Sequence, residues 1–239
     1  MKTPLLTISE DFINEIPLLE EFCTTKQKKL LQQSSKHHLF KKDEVIFFDF
    51  QPAHFVYLIG KGKVKLWKDG IHSHHTIVSL AKEGHIFGFR GAIQESNYLL
   101  SATALEDSLL YFIPKNIFIQ VLKENHELHF KILWYYITQL EKTERRLRNM
   151  SEMNVREKTA DCLLMMINEF GLEKNKSTLN IKISRKDLAA IAGISVDRLV
   201  KQLSEFEEEK IINASGQNIN LLNKEKLQEV IAPYIDNNS

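Results

Sequence analysis

Hydrophobic positions along this chain change their period three times. Over Ile8 to Leu39 they recur at helical intervals, with Leu18, Leu19 and Phe22 in one cluster and Leu30 and Leu31 in another, and Pro17 marks a break. From Phe40 the period falls toward two. The runs VIFFDF, HFVYLIGKGKVKLW, HTIVSLAKEGHIFGF, LLSATALE and SLLYFI are short, β-branched and aromatic, and Gly60, Gly62, Gly70, Gly84, Gly88 and Gly91 punctuate them. They predict an all-β module of about 75 residues, a small barrel or roll. Pro114 ends its last strand and KNIFIQVLKEN follows as a short helix.

The helical period then returns for longer. Phe130, Leu133, Ile137, Leu140, Glu144 and Leu147 are spaced 3, 4, 3, 4 and 3, which is the a/d seam of a two-stranded coiled coil with Glu144 as its polar exception. A helix packed only on its own β module would carry a broader stripe, and the five narrow intervals favour pairing with a second copy. Arg145, Arg146 and Arg148 are expected on the remaining surface. Asn154 with Glu157 has N-cap spacing, so a new helix, VREKTADCLLMMINEF, starts there and stops at Gly171; Asn149 to Met153 then form a hinge. The polar loop LEKNKSTLN follows, and LNKEKLQEVIAPYIDNNS at the far end adds one more short helix.

Between those segments lies SRKDLAAIAGISVDRLVKQL, Ser184 to Leu203. Leu188, Ile191 and Ala192 line one face of a helix that Ser184 can cap, with Asp187 in capping-box position. Gly193 ends it, since glycine enters the left-handed conformation without steric cost. Ser195 caps a second helix whose Leu199 and Leu203 face the first, while small Ala189 and Ala190 permit close approach and Arg185, Arg198 and Lys201 point outward. After Phe206 the run EEEKIINASGQNINLL reads as a helix end and a two-stranded wing turning at Ser215 and Gly216. A helical hairpin with a glycine corner is common; a hairpin followed by a wing is the far more specific pattern of a DNA-binding helix-turn-helix.

Composition narrows the classes. At 239 residues the chain suits one large or two small domains, and 43% hydrophobic with 26% charged residues is the balance of a soluble globular protein. No apolar run reaches the roughly 18 residues of a membrane span, and MKTPLLTISEDF lacks a signal peptide's apolar core, so a cytoplasmic protein is expected. Only Cys23 and Cys162 occur, which excludes a disulfide framework and a four-thiolate iron-sulfur cluster. The net charge of +1, and 12 Lys and Arg against 14 Asp and Glu from Ser151 onward, mean that DNA binding must rest on a local basic surface, with Glu205, Glu207, Glu208 and Glu209 turned away. No Gly-rich phosphate loop, metal-ligand set or Ser/His/Asp spacing marks an enzyme. His72, His74 and His75 lie in one turn and His126 and His129 at i, i+3, but no third ligand at recognised spacing accompanies either group, so no metal or cofactor is expected.

The motifs YLIGKGKVKLW, EGHIFGF, SATALEDSLLYFIPK and ISRKDLAAIAGISVDRLVKQLSEFEEEKII, in this order from about Phe40 to Leu227, resemble those of the Crp/Fnr family of bacterial transcription regulators. The resemblance implies an α+β protein: a cyclic-nucleotide-binding-like β-roll with flanking helices over 1–125, a dimerisation helix and hinge over 126–150, and a winged helix-turn-helix over 151–239. It further implies a homodimer on a two-fold symmetric promoter site, with double-stranded DNA and RNA polymerase as partners. By the same resemblance Val196, Asp197, Val200 and Lys201 meet base edges, with Arg185, Ser195 and Arg198 on phosphates. The family usually has glutamate and arginine at Asp197 and Lys201, which shortens reach and bidentate geometry here, and an apolar residue at Gln202.

The sensing pocket departs further. Cyclic-nucleotide binders of the family carry a ribose-binding glutamate after the FG of the roll and later an arginine followed by serine or alanine for the phosphate. Here those positions are Phe89 and the pair Tyr98-Leu99, with Arg90 the nearby cation. Burying a phosphate without a cation costs several kilocalories per mole, so control by cyclic AMP is not expected. Two other readings stay open. The roll is ligand-free and vestigial, or the chain is a ligand-binding module whose helix-turn-helix serves protein contacts.

Overall fold

The computed structural model describes residues 12–70, 75–94 and 96–234. The chain divides into two units, Met1–Lys68 with Val78–Gln139, and Asp69–Ile77 with Leu140–Ser239.

The first unit begins with a 3-10 turn, Phe12–Glu15, and two helices, α1 (Pro17–Phe22) and α2 (Thr25–Ser34). Pro17 opens α1 at its first turn, where a missing N–H costs nothing. Thr24 and Gln27 form a capping box at the start of α2. The helical reading to Leu39 fails at Ser35. Lys36–Phe40 is a strand, β1, because it pairs antiparallel along its whole length with β8 (Ser108–Pro114), and that long-range ladder overrides local period. The roll follows as β2 (Val45–Phe47), β3 (Phe55–Lys61), β4 (Lys63–Asp69), β5 (His75–Lys82), β6 (Ile86–Phe87), a short helix α3 (Phe89–Ile93) and β7 (Ser101–Ala104). Two four-stranded sheets result, ordered β1-β8-β3-β6 and β2-β7-β4-β5.

Two apolar clusters fill this unit. One packs Phe47, Tyr57, Ile59, Phe87, Tyr98 and Leu110 inside the roll. The other joins Phe12, Ile16, Leu19 and Tyr111 to helix α4 (Lys115–Glu124) and to Leu128 and Ile132 on α5 (His126–Glu152). Phe12 stacks on Tyr111 at 3.8 Å between ring centroids, so the N-terminal turn closes the bottom of the roll.

Helix α5 is continuous through Glu152 and the hinge is shorter than expected. Met153 alone separates it from Asn154, whose side chain accepts the N–H of Glu157 while the Glu157 carboxylate accepts the N–H of Asn154. That capping box starts α6 (Val155–Phe170), which Gly171 ends. Then come α7 (Arg185–Ala192), α8 (Val196–Glu208), a hairpin of β9 (Ile212–Ser215) and β10 (Asn218–Leu221), and α9 (Lys224–Val230). The hairpin turns at Gly216 and Gln217, one residue later than the sequence reading, since Ser215 pairs with Asn218. Gly216 there has a φ of 58°, the left-handed region that such a two-residue turn demands.

Candidate nucleic-acid interface

The second unit is built so that one helix end stays bare. Ser184 caps α7: its Oγ accepts the Asp187 N–H at 3.0 Å and donates to the Asp187 carboxylate at 2.7 Å. Gly193 stops that helix with a φ of 67°, and Ser195 then caps α8, accepting the Arg198 N–H at 3.4 Å. Leu188, Ile191, Leu199, Leu203 and Phe206 are all buried, and they fix α8 by its apolar stripe. What remains outside on its first turns is Ser195, Val196, Asp197, Arg198, Val200 and Lys201, every one exposed. Val196 and Val200, β-branched residues at the surface, stand 39% and 45% open, which leaves apolar methyls beside two cations.

The acidic residues at the other end are occupied. Glu207 accepts the wing's Ala214 N–H at 2.7 Å, and Glu209 takes both Arg156 Nη atoms at 2.6 and 2.7 Å. Arg156 holds the Glu209 carboxyl below its ordinary value and lays its guanidinium 4.8 Å over the Phe206 ring. Twelve residues of helix separate Ser195 from Glu207, about 18 Å along the axis, so the Glu207 and Glu209 carboxylates stay clear of Arg198, and Asp197 is the acid of that first turn. A local surface can be cationic while the unit's charge is not.

Two side chains differ from expectation. Arg185 does not point fully outward: it is half-buried, its Nη1 is enclosed without a hydrogen-bond partner, and Glu207 is the charge acting on it. Gln202 is buried on α8, and its Nε2 also lacks a partner among the described residues.

On α5 the side chains sort into two faces. Leu128, Ile132, Tyr135 and Tyr136 pack on the first unit's core, while Phe130, Leu133, Ile137, Leu140 and Leu147 stand exposed. Trp134 joins them at 61% exposure, a contributor that a strict 3, 4 spacing passes over. Arg146 and Arg148, expected on the open surface, are instead half-buried within the second unit.

Of the four residues at the effector positions, two are buried and two lie at the surface. Phe89 is buried, its ring 4.5 Å from Tyr136 and 6.3 Å from Phe118. Tyr98 is buried in the roll, stacked on Phe47 at 3.9 Å, its hydroxyl donating to the Phe55 carbonyl and accepting from the Phe55 N–H. Arg90 and Leu99 are exposed and half-exposed on the surface. His72 and His74 lie outside the described residues, and among those described no three His, Cys, Asp or Glu side chains form a metal-holding group. Nor is any described helix long and apolar enough to cross a membrane.

A roll of this topology with a winged helix-turn-helix whose reading helix is bare defines a modular DNA-binding protein, and comparison with known proteins agrees. The family model for a cyclic nucleotide-binding domain matches residues 37–125, and that for a Crp-like helix-turn-helix domain matches 157–230. The chain is 26% identical over 219 residues to the global nitrogen regulator of Synechococcus elongatus, covering 90% of this chain and 97% of that protein. It is 22% identical over 216 residues to the anaerobic regulatory protein of Bacillus subtilis, covering 90% and 91%. The solved structure of FixK2 from Bradyrhizobium japonicum shares the fold with a TM-score of 0.74 at 20% identity, over 82% of this chain and 96% of that one. The chain belongs to the Crp/Fnr family of DNA-binding transcription regulators.

Proposed function

We propose that this regulator works in the cytoplasm as a homodimer on a two-fold symmetric promoter site, next to RNA polymerase, and that cyclic AMP does not control it. The observation that carries the reading is the division of α8 into a buried apolar stripe and bare first two turns that expose Arg198 and Lys201 beside Asp197. A single helix of this length touches few bases, and a second copy one helical turn away, about 34 Å, doubles the sequence read. The exposed seam of α5 supplies the surface for that copy.

Lys201 reaches guanine O6 and N7, Asp197 accepts from cytosine N4, and Val196 and Val200 touch thymine methyls, while Ser195, Arg198 and Arg185 hold phosphates. Lys201→Ala is expected to lower specific binding by about 1 to 3 kcal/mol and to relax one base position; Arg198→Ala is expected to weaken all sequences alike and flatten the salt slope. Titrating both variants against matched and mismatched duplexes at several salt concentrations checks this. Equal losses on every sequence would contradict the assignment of base and phosphate roles.

The effector positions support independence from cyclic AMP. Phe89 and Tyr98 lie within the packed core and offer neither the carboxylate nor the cation that the family's nucleotide pocket uses. A ligand at a hundred times its dissociation constant stabilises the native state by about 2.7 kcal/mol, so binding would be plain in a melting curve. Millimolar cyclic AMP is expected to leave the midpoint unchanged; a rise of several degrees sinks this part of the reading. The same aromatic filling favours a second reading, in which the roll takes no small molecule and regulation follows the amount of protein, and it predicts no shift with any metabolite.

A further inference from the structure

The joint between α5 and α6 is two residues long, Met153 and the cap Asn154, yet it is not a free swivel. Arg146, Met150, Ile191 and Ile77 all belong to the second unit. Helix α7 ends one residue beyond Ile191, and the carbonyl of Ile191 is one of the last four that a helix leaves without an internal partner. Arg146 supplies the partner. Its Nη2 donates to the Ile191 oxygen at 2.7 Å, and to the oxygen of Ile77 at 2.8 Å. A cation at a helix C-terminus is also where the helix dipole favours one. Close by, Gly193 sits so near the end of α5 that an added Cβ would lie 2.5 Å from the Met150 Cε.

Apolar packing does not hold this joint by itself. A cavity of about 20 Å³, large enough for one water, lies among Arg146, Asn149, Met150, Met153, Asp161 and Ile191. Burial lowers the pKa of Arg146 and raises that of Asp161, while the Asn149 hydrogen bond to Asp161 and the attraction between the two charges oppose these shifts. In the heptad, Arg146 lies two residues after Glu144 and one before Leu147, off the a/d seam, and is free to serve its own chain.

We propose that Arg146 is a positioning residue: by pinning the C-terminal end of α7 to the last turns of α5, it sets the angle at which the helix-turn-helix is presented, and thereby the separation of the two half-sites. The proposal rests on the dimeric reading above. Inserting one base pair between half-sites turns them by roughly a tenth of a revolution, so a rigid joint selects one spacing and a loose one accepts several.

The test uses the full-length protein and duplexes bearing the inverted repeat that wild type selects, with the central spacer lengthened or shortened by one and two base pairs. Arg146→Met is expected to bind the preferred spacing about tenfold more weakly, the loss of a charged hydrogen bond, and to flatten the spacer preference to under about threefold. Affinity for an isolated half-site and the sedimenting mass should stay those of wild type, and Arg146→Lys, which keeps a cation and an N–H donor, should restore part of the preference. An unchanged spacer profile in Arg146→Met overturns the proposal, as does an equal loss on the isolated half-site, which would make Arg146 a support of the reading surface itself. Should Arg146→Met fail to give a cooperative melt, Arg146→Lys reads the same quantity: a profile identical to wild type overturns the proposal and a broadened one supports it. If wild type itself selects no inverted repeat, the dimeric reading fails and the proposal with it.

Discussion

Leu140→Glu is expected to leave a monomer. Leu140 sits at the middle of the exposed α5 seam, between Ile137 and Glu144, and is 58% open in the isolated chain. In a two-stranded seam each such leucine faces its own symmetry mate, so a glutamate there buries two like charges one layer from the Glu144 pair. Sedimentation should show the 27.8 kDa chain alone where wild type runs at about twice that mass. DNA affinity should fall by a factor of about 10² to 10⁴, because the second half-site loses the effective concentration that the first contact gives it. A variant that still sediments as a dimer would remove the seam from the account.

Phe206→Ala should cost the DNA-binding unit about 3 to 5 kcal/mol, the usual loss for a large aromatic cut from a core. Phe206 is fully buried under the last turns of α8, with the Arg156 guanidinium over its ring. Its removal leaves a void and also loosens the Arg156–Glu209 pair that ties the start of α6 to the end of α8. Trp67 and Trp134 both belong to the first unit, so their fluorescence follows the roll while far-ultraviolet circular dichroism follows mostly helices. The dichroism midpoint in urea is expected to drop while the tryptophan midpoint moves little. Coincident shifts of both would mean that the two units unfold together.

Much of this fold is legible in the chain because its signals are local. The caps at Ser184, Ser195 and Asn154 and the stop at Gly193 are short-range chemistry and form as the spacing predicts, and the wing turn falls one residue from its expected place. The strand over Lys36–Phe40 was hidden, since its partner β8 lies some seventy residues away and nothing local marks it. Helix α5 runs on past Asn149 because no glycine or proline interrupts it there, whereas the new cap at Asn154 suggests a hinge before it.

The exposed residues of α8 are legible as a set in the sequence, but the surroundings of their neighbours are not. Sequence places Arg185 outside, and only the folded unit shows it drawn in toward α8 with an enclosed, unbonded Nη1. The roles of Arg146, Arg156 and Glu209 are likewise tertiary. On a helical wheel they are solvated charges, and each finds its partner on a different element. The aromatic filling of the roll follows the same rule: Phe89 reads as a departure from a ligand motif, and the structure gives it a place against Tyr136 and Phe118.

The most direct test is selection of bound duplexes from a random pool by the purified wild-type chain at low salt. The account predicts an inverted repeat whose halves are centred about 34 Å apart, with two protomers on each duplex. Recovery of a single asymmetric site held by one protomer, or of no duplex, would contradict it.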